Sequence, residues 1–321
     1  MRILVTGASG FVGKKLCIYL NKIGYEVFAF SRNSCDFPID IKFIKGESIK
    51  KTFSNKSLLN GIDCVIHLAG RTYKRNRSST DSYDQYFKDN VEESLNLARL
   101  SNQSTVKRFI FLSSIKVNGE STEKSKPFNE KDNPNPQDYY ALSKYEAELG
   151  LLKISENSKM EITIVRPPLI YGDGVKGYFR AILKLIKSRM PLPFDSFVDN
   201  KRSFIYLENL LNFIEILVKH PKAGNEIFVC SDEKQISTAD LIKELSYGMY
   251  KKNFFLKVPR FIFLFLYLIG KGHLHKKLNE SLIIDNSKSA KLLGWYPPFT
   301  TKIALKKVSE EFKNHQKKFK N

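Results

Sequence analysis

The chain has 321 residues, is 42% hydrophobic and 27% charged, and carries a formal net charge of +20. That length accommodates one large α/β domain with a smaller lobe, or two domains, and the apolar-to-charged balance excludes a disordered chain. The charge points to anionic partners such as nucleotides, nucleotide-sugars, nucleic acid or an acidic membrane surface.

Most lysines are spread along the chain and read as solvated helix faces; two clusters stand out, Arg71 to Arg77 and Lys313 to Lys320. Neither is interleaved with aromatics as a stacking platform for single strands requires, and no groove-reading motif accompanies them. No nucleic-acid partner is expected. Cys17, Cys35, Cys64 and Cys230 show no CxxC spacing and no paired histidines. Cys17, Cys64 and Cys230 sit inside apolar runs, so buried free thiols in a reducing compartment are expected, and no metal site. The first residues, RILVTG, already form a strand pattern and leave no room for a signal peptide, which gives a cytoplasmic expectation.

In chain order, Arg2 to Thr6 is an apolar strand run, followed by a glycine turn and a helical pattern from Gly13 to Ile23. Glu26 to Phe30 reads as the second strand. Cys64 to Leu68 and Arg108 to Leu112 are short apolar runs bounded by polar residues, the pattern of strands buried on both faces. A helix is predicted over about 81–102, another from about Tyr139 to Ser155, and a strand over Glu161 to Arg166. This alternation predicts a doubly wound parallel sheet with helices on both faces. After Pro167-Pro168 the rhythm breaks into loops, a strand Ser203 to Leu207, a helix Leu210 to Lys219, a strand Glu226 to Val229 and mostly helix thereafter. This half reads as a smaller substrate-capping lobe that returns one or two elements to the main sheet. Phe261 to Ile269 is continuously apolar but falls short of the roughly 20 residues a membrane span needs. A core helix is predicted there; surface attachment to a membrane is the alternative, favoured by the flanking Lys257, Arg260 and Lys271.

The segment TGASGFVG (6–13) places Gly7, Gly10 and Gly13 between a strand and a helix. There Gly7 permits a tight turn, Gly10 lets backbone approach a phosphate and Gly13 allows close helix–strand packing, with the pyrophosphate on the helix N-terminus. The second strand runs into Ser31 and Arg32 rather than an acid. An acid there would bind the ribose 2′-hydroxyl, whereas Arg32 can pair with a 2′-phosphate, so the cofactor is NADP or NAD with NADP favoured.

Tyr140 and Lys144 lie four apart on a predicted helix and project from one face. A nearby ammonium favours the phenolate and makes tyrosine a usable acid or base at neutral pH. Ser113-Ser114 ends the strand Arg108 to Leu112, where ligands of open parallel sheets bind.

These motifs together resemble the extended short-chain dehydrogenase/reductase family. The resemblance rests on TGASGFVG (6–13), DCVIHLAG (63–70), DNVEESLNLA (89–98), FLSSIKVNGE (111–120), YALSK (140–144), RPPLIYGDG (166–174), RSFIYLENL (202–210) and IIDNSKSAKLLGWYPP (283–298). It implies Ser114, Tyr140 and Lys144 as the catalytic residues and Asn90 as their support. Phe11 and Val12 in the glycine loop, with Leu68, Ala69, Gly70 and Pro167, would lie along the cofactor beside Tyr140 and Lys144. It further implies that residues 1–167 with about 200–222 bind the dinucleotide, and that 168–199 with 223–321 bind a UDP-sugar. Arg202 would meet the diphosphate, although its residue type fits a surface ion pair equally well; Lys176 and the Arg71 to Arg77 loop are further candidates. The helices about 81–102 and 139–155 would pair in a homodimer.

Dehydratases of this family carry an Asp-Glu pair after the active-site hydroxyl residue, where this chain has Ile115 and Lys116, so dehydration is not expected. SSIKVNGE and PFNEKDNPNPQDYYALSK are most similar to the reductases acting at C4 of UDP-N-acetyl-6-deoxyhexoses, the UDP-N-acetylquinovosamine type of polysaccharide biosynthesis. Lys116 and Asn118 would then flank the sugar together with Ser114 and Tyr140. Ala141 departs from the glycine common after the tyrosine, and a small residue still fits. A UDP-sugar 4-epimerase with bound NAD is the alternative, and a non-catalytic dinucleotide-binding regulator a further one.

Overall fold

A computed structural model describes residues 1–54, 56–72, 82–123, 126–190, 192, 197–252 and 279–315. The apolar run Phe261 to Ile269 with its flanking bases, most of the Arg71 to Arg77 cluster and the end of the basic tail lie outside the described residues. No helix among the described residues is long and apolar enough to cross a membrane.

The predicted alternation of strands and helices builds the first half. Strand β1 (Arg2–Thr6) leads into α1 (Phe11–Lys22), β2 (Glu26–Ser31), β3 (Lys42–Lys45), the single turn α2 (Ile49–Thr52) and β4 (Cys64–His67). A helical stretch follows as α3 (Tyr83–Tyr86), a π-helical segment (Phe87–Glu92) and α4 (Glu93–Asn102). Then come β5 (Arg108–Leu112), α5 (Tyr139–Glu156) and β6 (Glu161–Arg166). The strand β3, KFIK, is short, flanked by lysines and at the sheet edge, which is why no apolar run marks it in the sequence.

Seven strands form one sheet in the order β3-β2-β1-β4-β5-β6-β9, every pair parallel. Alternation along each strand feeds two cores. Ile3, Val5, Ile66 and Ile110 face Leu16, Leu20 of α1 and Leu210, Ile214 of a later helix. Leu4, Val65, Phe109 and Phe111 face Leu97 of α4 and Ala147, Leu151 of α5. The side-chain period of two thus places helices on both faces. Cys17, Cys64 and Cys230 are buried free thiols, and burial pushes the first two up to about 12.

In the second half, β7 (Leu169–Tyr171) pairs with β8 (Phe204–Tyr206) in a separate two-stranded sheet around α6 (Gly177–Lys187). Helix α7 (Leu207–Lys219) returns to cover the first core, and β9 (Ile227–Val229) completes the main sheet beside β6. The strand β9 therefore comes from the stretch that the sequence division gives to the lobe. Helices α8 (Thr238–Tyr250), α9 (Ser287–Leu293) and α10 (Thr301–His315) follow. Phe179, Leu183, Leu245 and Leu305 belong to a third core under α6, α8 and α10. Buried Asp232, just past β9, ties lobe to sheet. It accepts from the Tyr206 amide at 2.9 Å, Asn209 Nδ2 at 2.7 Å and Tyr171 Oη at 2.7 Å, and burial raises its carboxyl above the usual range.

Candidate active site

The strand order reverses direction at β1 and β4, so their C-terminal ends open a crevice rather than being bridged by a connection. The glycine loop lies there. Gly7 has φ +69°, and a Cβ on it would sit 2.8 Å from the Ala69 amide nitrogen. A Cβ on Gly13 would sit 2.2 Å from the Gly7 carbonyl oxygen, so only glycine lets α1 pack against the loop. Helix α1 begins at Gly10 without a side-chain cap, leaving its first N–H groups facing the crevice. A bare helix N-terminus approached through glycines fits a pyrophosphate.

The crevice is one cavity of about 640 Å³. Its wall brings together Gly7, Gly10, Phe11, Val12, Gly13 and Arg32 with Leu68, Ala69, Gly70, Ser114, Tyr140, Lys144 and Pro167. Arg32 follows β2 and Ser114 follows β5, three strand spacings apart across β1 and β4. At ~4.8 Å per strand that is roughly 14 Å, room for an extended dinucleotide laid across the strand ends.

Ser114 and Tyr140 meet through their hydroxyls. Ser114 also caps the turn Ile115–Val117, its Oγ accepting from the Lys116 amide at 3.2 Å. Tyr140 opens α5 behind the cap Asp138, whose carboxylate accepts from the Ala141 amide at 2.7 Å. Withdrawal of the phenol from water pushes Tyr140 up to about 12, while the Ser114 bond and the Lys116 charge act in the opposite sense. Lys144, one turn on, is 5% exposed. Its Nζ donates to the Leu112 carbonyl at 2.8 Å and lies 4.3 Å from the centre of the Phe111 ring. Burial brings this ammonium down to about 8, Glu148 acting in the opposite sense.

Two buried networks hold these groups. In the first, Glu148 on α5 accepts from Arg166 Nη2 at 2.6 Å, from Arg166 Nε at 3.0 Å and from the Ser113 hydroxyl. Arg166 Nη1 donates to Asn118 Oδ1 at 3.1 Å. Ser113 is therefore turned into the protein and its neighbour Ser114 onto the cavity.

The second network runs from the glycine loop to α5. Ser94 Oγ donates to the Asn90 carbonyl at 2.6 Å, so it accepts from His67 Nε2–H at 2.8 Å. His67 Nδ1 then accepts from Thr6 Oγ1 at 2.7 Å, and Thr6 accepts from the Ala69 amide at 3.3 Å. Asn90 sits in the π-helical turn, where Ser94 serves its carbonyl. Its side chain accepts from the Arg71 amide at 2.6 Å and donates to Ser143 Oγ at 2.9 Å. Ser143 in turn donates to the Tyr140 carbonyl at 2.8 Å.

Burial, with the Lys144 charge adding to it, brings the His67 imidazole down to about 3, so it is neutral. An unfolded histidine takes its proton near ~6.5, so between that pH and about 3 the unfolded chain binds a proton the native protein refuses, and stability falls with pH. The slope is about 1.4 kcal/mol per pH unit. His67→Gln removes it, so the stability gap between parent and variant in urea unfolding is expected to narrow by about 2 kcal/mol from pH 7 to pH 5. A constant gap would refute the neutral assignment.

Of the other expected sugar contacts among the described residues, Arg71 borders the cavity, its Nε donating to Asp89 Oδ2 at 2.9 Å, whereas Lys116, Asn118, Lys176 and Arg202 do not. Lys116 Nζ is bound by Asp138 and Glu120. Asn118 is 2% exposed and placed with Arg166, its Nδ2 donating to the Asn129 carbonyl at 2.8 Å. Lys176 is an exposed residue at the N-terminus of α6. Arg202 bridges to Ile236 and Leu282 and donates to the Glu280 carbonyl at 3.1 Å. The sequence reading missed His67, Glu148 and Arg166. A charged residue closing the apolar strand EITIVR, and a histidine within CVIHL, are the signals that mark them.

Sheet order, glycine crevice and the paired serine and tyrosine define a Rossmann-type, dinucleotide-binding α/β protein. A model of the NAD dependent epimerase/dehydratase family matches residues 3–231. The chain belongs to that family and is an NAD-dependent enzyme of the oxidoreductase type. It is 38% identical over 312 residues to a UDP-glucose 4-epimerase of Vibrio cholerae, covering 97% of this chain and 95% of the relative. It is 27% identical over 252 residues to the N-acetyl-alpha-D-glucosaminyl-diphospho-ditrans,octacis-undecaprenol 4-epimerase of Escherichia coli O157:H7, covering 78% and 73% of the two chains. Among solved structures, UDP-glucuronic acid 4-epimerase from Bacillus cereus in complex with NAD has the same fold. Its TM-score is 0.77 at 22% identity, over 98% of this chain and 97% of that one.

Proposed function

We propose that the enzyme reduces C4 of a UDP-4-keto-6-deoxy-HexNAc, with Ser114, Tyr140 and Lys144 as its catalytic residues. The observation that carries this reading is their position on one cavity wall, where the end of β5 and the start of α5 face the crevice that also holds the glycine loop after β1. Gly7, Gly10 and Gly13 with the first turn of α1 would hold the pyrophosphate of NAD, Leu68, Ala69 and Gly70 its middle, and Pro167 and Lys144 the nicotinamide half. When bound, the nicotinamide supplies the hydride. Tyr140 holds the proton destined for the C4 oxygen; a phenol near 12 keeps that proton at neutral pH, which suits reduction. Ser114 donates to the same oxygen and so favours the charge that develops there. Lys144, gripped by Leu112 and Phe111, orients the ribose. The sheet-bearing body, residues 1–167, about 200–222 and the strand at 227–229, is proposed to bind NAD, and the remainder the UDP-sugar.

Ser31 and Arg32 at the adenosine end support a cofactor that exchanges and that tolerates a 2′-phosphate. Arg32→Ala is expected to raise the KM for NADPH about tenfold or more and leave that for NADH within twofold, as loss of a charge-assisted contact requires. Equal effects on both would remove the 2′-phosphate assignment. A cytoplasmic homodimer is part of the same proposal; its pairing through α5 is supported by the large side chains Tyr139 and Leu149 exposed there.

The Vibrio relative favours a second reading, a UDP-sugar 4-epimerase working with the same residues. Nicotinamide absorbance, followed with UDP-4-keto and UDP-HexNAc sugars, separates the two. Net consumption of NADH or NADPH with a UDP-keto sugar supports the reductase. Interconversion of UDP-sugars without net consumption supports the epimerase. Cofactor binding with neither outcome rejects both.

A further inference from the structure

We propose that Lys116 is a positioning residue of this site, its ammonium clamping the turn that carries Ser114 to the cap of the helix that carries Tyr140. The proposal rests on the reading of Ser114 and Tyr140 as catalytic.

The sugar-flanking role expected of Lys116 needs an ammonium on the cavity, which Lys116 does not border. The structure shows another use. Lys116 lies two residues beyond Ser114, and its amide is the donor to Ser114 Oγ. Its Nζ is bound by Asp138 Oδ2 and, at 2.6 Å, by Glu120 Oε1. Asp138 is the α5 cap, so the same carboxylate that fixes the Ala141 amide also fixes Lys116. The side chains of Lys116 and Asp138 are only 22% and 15% exposed, which shields the pair from solvent screening. The chain thus closes a loop of contacts: Tyr140 to Ser114, Ser114 to Lys116, Lys116 to Asp138, and Asp138 back to the first turn of α5.

The groups around the phenol are Ser114 and Lys116 on the β5 turn, Asp138 and Lys144 on α5, and Tyr86 on α3. Lys116 is the cation whose field lowers the phenol, while the Lys144 ammonium is directed to the Leu112 carbonyl. Losing Lys116 therefore both loosens the turn and leaves Asp138 as an unbalanced negative charge beside Tyr140. Both effects hold the proton more tightly on the phenol.

The test uses the full-length Lys116→Met and Lys116→Arg variants. Lys116→Met is expected to lower kcat about tenfold with KM for the UDP-sugar little changed. The rising limb of its pH profile for sugar oxidation should lie about one pH unit higher, as loss of one nearby cation requires. Amide hydrogen exchange should rise in peptides covering 113–118 and 138–144, and Lys116→Arg should restore all three properties. A raised KM with unchanged kcat and pH profile would overturn the proposal in favour of sugar binding. Unchanged exchange in both peptides would overturn it outright. Should the parent enzyme turn over no UDP-sugar, the functional reading fails instead. The titration of 13C-labelled Tyr140, identified with Tyr140→Phe, then decides the role of Lys116: an unshifted phenol in Lys116→Met would overturn it.

Discussion

Tyr140→Phe is expected to lower turnover of the UDP-sugar by about 100- to 10,000-fold while leaving cofactor affinity within a few-fold of the parent. The substitution keeps the ring against Tyr86, 6.5 Å between centres, and removes only the hydroxyl that meets Ser114. Cofactor contacts proposed along the glycine loop and β4 are untouched. The loss should fall on kcat, because proton transfer to the C4 oxygen belongs to the transition state rather than to binding. Stopped turnover with intact quenching of protein fluorescence by NADH would separate chemistry from binding. A variant that retains parental kcat would end the assignment of Tyr140 as acid.

Glu148→Ala is expected to destabilise the protein by about 3–5 kcal/mol, among the largest effects of any single side chain here. Arg166 and Glu148 are 3% and 1% exposed, and the guanidinium has donors on both Glu148 oxygens. Truncation leaves a buried cation without its counter-charge and frees the Ser113 hydroxyl that the same carboxylate holds. Thermal unfolding should drop on the order of 10 °C. The double variant Glu148→Leu with Arg166→Met should be less destabilised than either single change, because no lone charge remains. Additive losses would show that the pair acts through packing alone. Because Ser113 precedes Ser114, the single variant should also lose more turnover than its residual folded fraction explains.

Sequence reading reached furthest where function is local. TGASGFVG, SS and YALSK each compress a role into a few residues, so spacing alone predicts a turn, a helix start or a shared helix face. The parallel sheet was legible for the same reason, each central strand being a short apolar run. What stayed hidden depends on partners far apart in the chain. Glu148 and Arg166 are 18 residues apart and Thr6 and His67 are 61 apart; Thr6, His67 and Arg166 stand within TGASGFVG, DCVIHLAG and RPPLIYGDG, but no spacing pairs them. The stretch 81–102 reads as one helix because its apolar periodicity continues through it. The π-helical segment at Asn90 has no compositional mark and shows only in the backbone. Lys116 and Asn118 were expected at the sugar because of their neighbours in sequence; in the fold Lys116 Nζ is bound by Asp138 and Glu120, and Asn118 is placed with Arg166, contacts that no spacing announces.

The late arrival of β9 bears on how the protein is made. During synthesis β6 is complete by Arg166, but its outer neighbour starts only at Ile227. At roughly 5–20 residues per second, the ribosome leaves that row of backbone donors and acceptors without its partner for several seconds. An unpaired apolar strand such as EITIVR is a template for other nascent chains. A product terminated before the seventh strand is therefore expected to aggregate more readily than the full chain.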